Sequence, residues 1–140
     1  MGILLDTGFL FSLKIKRDKF HTKTKKLFKN INWKSYGLIA TSSLVVNELH
    51  TLVNIRTKAN LNALKQIEDL FWGEENFFSI IFLQLQEFKE IAMIMKKYST
   101  PERILSFVDA SLIYLSKKLN FTTIVSYDSH FDGILTRISI

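Results

Sequence analysis

The chain contains no cysteine. Disulfides, thiolate-bound zinc and iron–sulfur clusters are thereby excluded, and nothing asks for an oxidising compartment. No apolar run reaches the length of a membrane span. The first residues carry neither the basic nor the long apolar region of a secretory signal, and a short apolar run leads straight into the fold. Linkers, internal repeats and low-complexity stretches are missing too. These absences are those expected of a cytoplasmic protein, and 140 residues fit one domain, 1–140.

What is present is strongly apolar. Hydrophobic residues make up 47% of the chain and 12 are Phe, enough for a sizeable core without covalent staples. The net charge of +6 is unevenly spread. Lys14, Lys16, Arg17, Lys19, Lys23, Lys25, Lys26, Lys29 and Lys34 meet one acid, Asp18, so this segment carries +8 and the rest of the chain sums to −2. A basic segment on a slightly acidic body fits a polyanion partner such as a nucleic acid. A solvated helix face explains the same lysines without any partner.

Apolar spacing predicts an alternation of strands and helices. "ILL" (3–5) lies within a strand over 2–6, and a helix follows over 8–14. A basic helix runs from Asp18 to Ile31, with Phe20, Thr24, Leu27, Phe28 and Ile31 on one side. "YGLIAT" (36–41) reads as the second strand. Helices follow over 43–57, behind serine caps, and over 60–72. "FFSIIFL" (77–83) reads as a third strand, apolar enough to be buried on both faces. Leu85, Phe88, Ile91, Ala92 and Met95 mark another helix. The next helix starts either at Thr100-Pro101-Glu102 or at Ser106, where Asp109 completes a capping-box pair. "TTIVSY" supplies a strand from 122 to 126 or 127. A turn at Ser129–Gly133 then leads to a last strand in "ILTRISI". The pattern implies an α/β fold, an α/β/α sandwich around a central, mostly parallel sheet.

In such a sheet all strand C-termini share one edge, and ligands bind there. Asp6 ends the first strand and Asp128 follows the fourth. Glu48 and Asp109 lie in the early turns of helices that leave the same edge. Four carboxylates brought together repel, and each raises the others' pKa. A divalent cation removes that penalty, and an all-oxygen donor set favours Mg²⁺ or Mn²⁺. Such a site activates water and neutralises phosphate charge. Each acid also has a plain structural role. Asp6 and Asp109 suit helix N-termini, Asp128 suits a turn, and Glu48 suits an exposed position on an amphipathic helix. The histidines His21, His50 and His130 show no ligand spacing and read as surface or incidental residues, although His130 stands close to Asp128.

"ILLDTGFL", "TSSLVVNEL", "LSFVDASLIYLSKKL" and "TIVSYDSHF" together resemble, in order and spacing, the motifs of the PIN-domain family, in particular its small VapC-type toxins. The resemblance implies a metal-dependent endoribonuclease that leaves 5′-phosphate and 3′-hydroxyl ends. It assigns Asp6, Glu48, Asp109 and Asp128 to one or two Mg²⁺ or Mn²⁺ ions. It makes Thr7 a polar helper beside the metal, Ser106 the residue that orients the Asp109 helix, and Asp132 a further supporting acid. It also implies a homodimer and a cognate antitoxin. Lys14, Lys16, Arg17, Lys23, Lys25 and Lys26 are the RNA contacts that the charge pattern adds. Two other readings stand beside the toxin. One is a PIN-fold nuclease of RNA processing, and the other a non-catalytic RNA- or protein-binding module. A phosphoryl-transfer enzyme on a related sheet fits poorly, because position 8 is Gly where a second Asp is wanted.

Overall fold

The computed structural model describes residues Met1–Ile140. Five strands form one sheet in the order β3-β2-β1-β4-β5, and every neighbouring pair is parallel. The strands are β1 (Gly2–Leu5), β2 (Leu38–Ser42), β3 (Ser79–Ile81), β4 (Thr123–Val125) and β5 (Thr136–Ile138). The helices are α1 (Thr7–Lys14), α2 (His21–Asn30), α3 (Ser43–Arg56), α4 (Leu61–Trp72), α5 (Glu87–Tyr98) and α6 (Phe107–Leu119).

Strand β1 is central, and all four of its residues are buried. Its Gly2 has a packing reason: a Cβ there would lie 2.1 Å from Cζ of Phe121, whose ring covers the backbone. The connections from β1 to β2 and from β2 to β3 step one way along the sheet, and the one from β3 to β4 steps back. Right-handed crossovers therefore send α1–α4 to one face and α5 and α6 to the other. The packing agrees. Helix α1 touches α2, α3 and α4, while α5 lies against α6, which covers β1 and β2. This is the α/β/α sandwich expected, with a sheet that is parallel throughout.

Two local expectations are corrected and one open alternative is resolved. The basic helix begins at His21 rather than Asp18, because the Asp18 carboxylate accepts hydrogen bonds from Ser12 Oγ (2.7 Å) and the Phe20 N–H (3.1 Å) and holds a turn there. The 77–83 run is not a strand buried on both faces. Only Ser79–Ile81 pair, at the edge of the sheet, and Phe82 is 69% exposed. Its apolar character goes elsewhere: Phe77 packs edge-on against Phe28 and Trp33, and Phe78 packs against Phe71. Of the two possible starts for the long helix, Ser106 is the N-cap. No helix is long and apolar enough to cross a membrane.

Candidate metal centre at the strand C-termini

Strand register decides what stands beside Asp6. Leu5 pairs with Val125 across β1 and β4, so Asp6 and Ser126 leave the sheet side by side. The Asp6 N–H donates to Val125 O (3.1 Å), and Ser126 Oγ donates to Asp6 Oδ2 (2.5 Å). The other oxygen, Oδ1, accepts the Thr7 N–H at 2.8 Å and makes Asp6 the N-cap of α1. On the opposite flank Thr41 Oγ1 donates to Leu5 O, and Ser42, the N-cap of α3, accepts from Ser111 Oγ of α6 (2.9 Å). That contact ties the N-cap of α3 to the second turn of α6, near the N-terminal parts of the two helices that carry Glu48 and Asp109.

Asp109 sits at the third position of α6 in a complete capping box. The Ser106 N–H donates to its Oδ2 (3.1 Å), and its own N–H donates to Ser106 Oγ (3.0 Å). Asp128 follows β4 and caps a 3₁₀ turn, Ser129–Phe131, by accepting the His130 N–H at 2.9 Å. Its own N–H donates to Ser126 Oγ (3.0 Å), so one serine hydroxyl bridges Asp6 and Asp128. Three of the four acids are therefore N-caps or capping-box members. The structural and the site readings of these residues describe the same geometry, because helices leaving this edge start at it and the acids that cap them look into the crevice.

The electrostatics carry the mark of crowding. Asp6 is 6% exposed, and its pKa is pushed up to about 7. Burial is the main cause; the charges of Asp109 and Glu48 add to it, and the bonds from Ser126 and Thr7 oppose it. The Asp109 carboxyl is also raised, first by burial and then by the charge of Asp128, against the pull of the Ser106 N–H. Glu48 is half-buried on α3 and makes no hydrogen bond, but its charge reaches Asp6. Asp109, Asp128 and His130 each present a donor atom, and these atoms all lie within 4.8 Å of one another. Thr7 Oγ1 is buried with no hydrogen-bond partner, the one such side-chain atom in the chain. Carboxylate oxygens, mutual repulsion and an unpartnered hydroxyl beside Asp6 fit a hard divalent cation.

Asp132 lies outside this group. It is an exposed residue held by Arg137, whose Nε and Nη2 donate to its two oxygens at 2.8 and 3.2 Å. That ion pair holds the Asp132 carboxyl below the usual range. Arg137 Nη1 also reaches Ser126 O (3.3 Å), so Asp132 connects to the crevice only through the backbone of Ser126. Two residues of the site escape sequence reasoning. Ser126 belongs to the "TIVSYDSHF" motif, as the serine two before Asp128, but has no assigned role until register puts it beside Asp6. His130, read as incidental, turns its Nδ1 to 3.5 Å from Asp109 Oδ2 and 3.3 Å from Asp128 Oδ1. Its nearness to Asp128 in the chain was the only signal. The other two histidines stay away: His21 bonds Ser12 O, and His50 bonds Val46 O and stacks on Phe71.

The basic segment docks next to the site. Phe20 packs on the ring of Tyr127, and Thr24 Oγ1 bonds the Tyr127 hydroxyl, between Ser126 and Asp128 in the chain. Lys16, Arg17, Lys23, Lys25 and Lys26 are exposed and free of ion pairs, while Lys14 pairs with Glu75 at 3.3 Å. A crevice brings Lys16, Arg17 and Lys19 together with Arg56 and Lys58 from the corner between α3 and α4. Those last two cations lie outside the predicted segment.

Fold and site together define an α/β protein with an acidic, oxygen-rich crevice at the C-terminal edge of its sheet. Residues 3–134 match the model of the PIN domain, and the chain belongs to the PIN-domain family. No curated protein matches it in sequence. Among solved structures it is similar to VapC20 of Mycobacterium tuberculosis, a sarcin–ricin loop cleaving toxin, at 20% identity and a TM-score of 0.75 over 94% of each chain. It is similar to VapBC2 of Rickettsia felis, solved bound to a DNA fragment from its promoter, at 18% identity and a TM-score of 0.65, over 99% of this chain and 98% of that one. It also resembles PAE2754 of Pyrobaculum aerophilum, at 16% identity and a TM-score of 0.62, over 99% and 89% of the two chains. At these identities the likeness is one of fold.

Proposed function

We propose that the chain is a Mg²⁺- or Mn²⁺-dependent endoribonuclease and the toxin of a toxin–antitoxin pair, one domain over residues 1–140 acting in the cytoplasm as a homodimer. The observation that carries this is the convergence of acids: Asp109 and Asp128 face one another beside a buried Asp6 that ionises reluctantly under the charges of Asp109 and Glu48. Membership of the PIN-domain family supports the nuclease. The whole-chain likeness to VapC20 and VapBC2 supports the toxin, and the acidic crevice offers a basic antitoxin segment a complementary surface.

Asp6, Glu48, Asp109 and Asp128 would hold the metal. Bound there, a divalent cation offsets phosphodiester charge and makes water a better nucleophile. The protein's own part is to keep the donors in place. Ser126 holds Asp6 and Asp128 in one orientation, the Ser106 box holds Asp109, and the Ser42–Ser111 contact holds α3 against α6. Thr7 supplies a hydroxyl next to Asp6. The free cations Lys16, Arg17, Lys23, Lys25 and Lys26 bind the RNA backbone, with Arg56 and Lys58 extending their surface.

The reading is tested by incubating purified protein with transfer, ribosomal and messenger RNA in Mn²⁺, in Mg²⁺ and in EDTA. Cleavage that needs the metal and leaves 5′-phosphate ends is expected. Cleavage that persists in EDTA would contradict it.

Two variants probe the supporting parts. Ser126→Ala removes a donor from Asp6 and an acceptor from the Asp128 N–H. Mn²⁺ affinity is expected to fall about tenfold, as for other residues that orient metal ligands, and stability in urea to fall by about 1–2 kcal/mol. Isothermal calorimetry and urea melts measure the two effects. The double variant Arg17→Glu, Arg56→Glu is expected to weaken RNA binding while leaving the fold intact. The slope of log K against log salt becomes shallower by about 1.4 if each residue touches one phosphate of a single strand. Fluorescence anisotropy on a cleavage-dead background reads this without interference from hydrolysis.

A further inference from the structure

Resting on the metal reading above, we propose that His130 is itself a ligand of the metal, through Nδ1, and that it makes the site select Mn²⁺ over Mg²⁺.

The local chain puts the imidazole there and keeps it there. His130 is the middle residue of the Ser129–Phe131 turn, which Asp128 caps. Phe131 is fully buried and anchors the turn to the core. The ring is thus carried back over α6, to a carboxylate 21 residues earlier in the chain.

The spacing suits coordination better than hydrogen bonding. Nδ1 lies 3.3 Å from Asp128 Oδ1 and 3.5 Å from Asp109 Oδ2. Both exceed the usual N–H···O range of about 2.7–3.2 Å, and a single Nδ1–H satisfies only one of them. Ligands about 2.2 Å from a common ion stand about 3 Å apart when adjacent and about 4.4 Å apart when opposite. The donor atoms of Asp109, Asp128 and His130, all within 4.8 Å of one another, need only small shifts to reach such an arrangement. Asp109 and Asp128 keep their rotamers through bonds to backbone N–H groups, so the set is assembled before any ion arrives.

The ligand type carries the selectivity. Carboxylate, hydroxyl and water suit Mg²⁺ and Mn²⁺ alike. Imidazole suits the later first-row ions best, and Mn²⁺, the weakest binder of that series, still accepts it more readily than Mg²⁺, which holds to oxygen and gives up its water reluctantly. One nitrogen in the set therefore strengthens Mn²⁺ binding and does little for Mg²⁺. The competing role for His130 is that of a cationic neighbour that merely offsets the acids, and the test separates the two.

The full chain is loaded with Mn²⁺ and examined by pulsed electron paramagnetic resonance, with calorimetric titrations of Mn²⁺ and Mg²⁺ alongside. The expected spectrum shows coupling to a directly bound nitrogen, which changes its pattern when the protein is grown with ¹⁵N-histidine. In His130→Asn that coupling is lost. Its Kd for Mn²⁺ rises about tenfold or more while that for Mg²⁺ moves by less than about threefold. Mn²⁺ bound without nitrogen coupling in the wild type overturns the proposal and leaves the nuclease reading standing. So does a variant that weakens both ions equally. Failure of the folded wild type to bind Mn²⁺ at all overturns both. The isotope experiment needs no variant, so it decides the matter even if His130→Asn folds poorly.

Discussion

Asp109→Asn is expected to lower metal-dependent RNA cleavage by about a thousandfold or more while the protein stays folded. The size follows from what one carboxylate does in a site of this kind. Removing a ligand charge weakens the metal and everything it stabilises, and a thousandfold loss corresponds to about 4 kcal/mol of barrier. The fold survives because the amide oxygen of Asn still accepts the Ser106 N–H, the bond that Asp109 Oδ2 makes now. The Asp109 N–H to Ser106 Oγ half of the box is untouched. The variant also removes one of the charges that push the Asp6 pKa upward, so without metal it is as stable as the wild type or slightly more so. Cleavage assays paired with circular dichroism and thermal melts make the comparison. Cleavage within tenfold of wild type would place the chemistry elsewhere on the molecule.

The second large effect is on stability, and it is opposite in sign to ordinary acid denaturation. Asp6 ionises near 3.8 when unfolded and at about 7 in the fold. Below pH 3.8 it is protonated in both states, and the fold's preference for the neutral acid contributes in full. Between these values the unfolded chain loses the proton while the folded chain keeps it, so stability falls as pH rises. Above about 7 the loss is complete. Three pKa units at about 1.4 kcal/mol each amount to roughly 4 kcal/mol. Metal-free wild type is expected to lose that contribution between pH 4 and 7. Asp6→Asn, which does not titrate there, keeps it and is the more stable protein at pH 7.5 in EDTA. Added Mn²⁺ reverses the order, because an ion stabilises the charged carboxylate and favours the folded state. Urea melts of both proteins from pH 4 to 8, with EDTA and with Mn²⁺, give the curves. Parallel curves for the two proteins in EDTA would show that Asp6 ionises normally.

Both effects have one origin. The edge of the sheet gathers acids in a place that is poor for folding without an ion and good for chemistry with one. Almost nothing in the crevice offsets them. Of the 19 cations of the chain, nine lie along the 14–34 segment and two, Arg56 and Lys58, at the α3–α4 corner, where five of them line one crevice. The RNA reading needs both parts: acids to gather the metal, and cations beside them to hold the strand.

Much of this was legible in the chain, and the misreadings have physical reasons. "ILLD" announced a buried strand that stops at a carboxylate, and both the strand and the stop are there. The Ser106–Asp109 box was readable because its partners are three residues apart. The run 77–83 was overrated because apolar character shows that side chains pack, not on which strand of a sheet they lie. Phe77 and Phe78 found aromatic partners, and Phe82 found solvent. Asp132, which the family motif offers as a supporting acid, pairs with Arg137, and Arg137 in turn reaches Ser126 O.

By itself the sequence determined which acids follow strands and which open helices, because caps, turns and apolar spacing act over a few residues. It also determined, through its acids and its lack of cysteine, that a metal held here would meet mainly oxygen. Only the tertiary structure decided which of these groups meet. The pairing of Leu5 with Val125 put Ser126 between Asp6 and Asp128, and the buried Phe131 swung His130 onto Asp109. Strand order and register are fixed by packing between residues from 13 to 120 positions apart, and no local pattern encodes such distances.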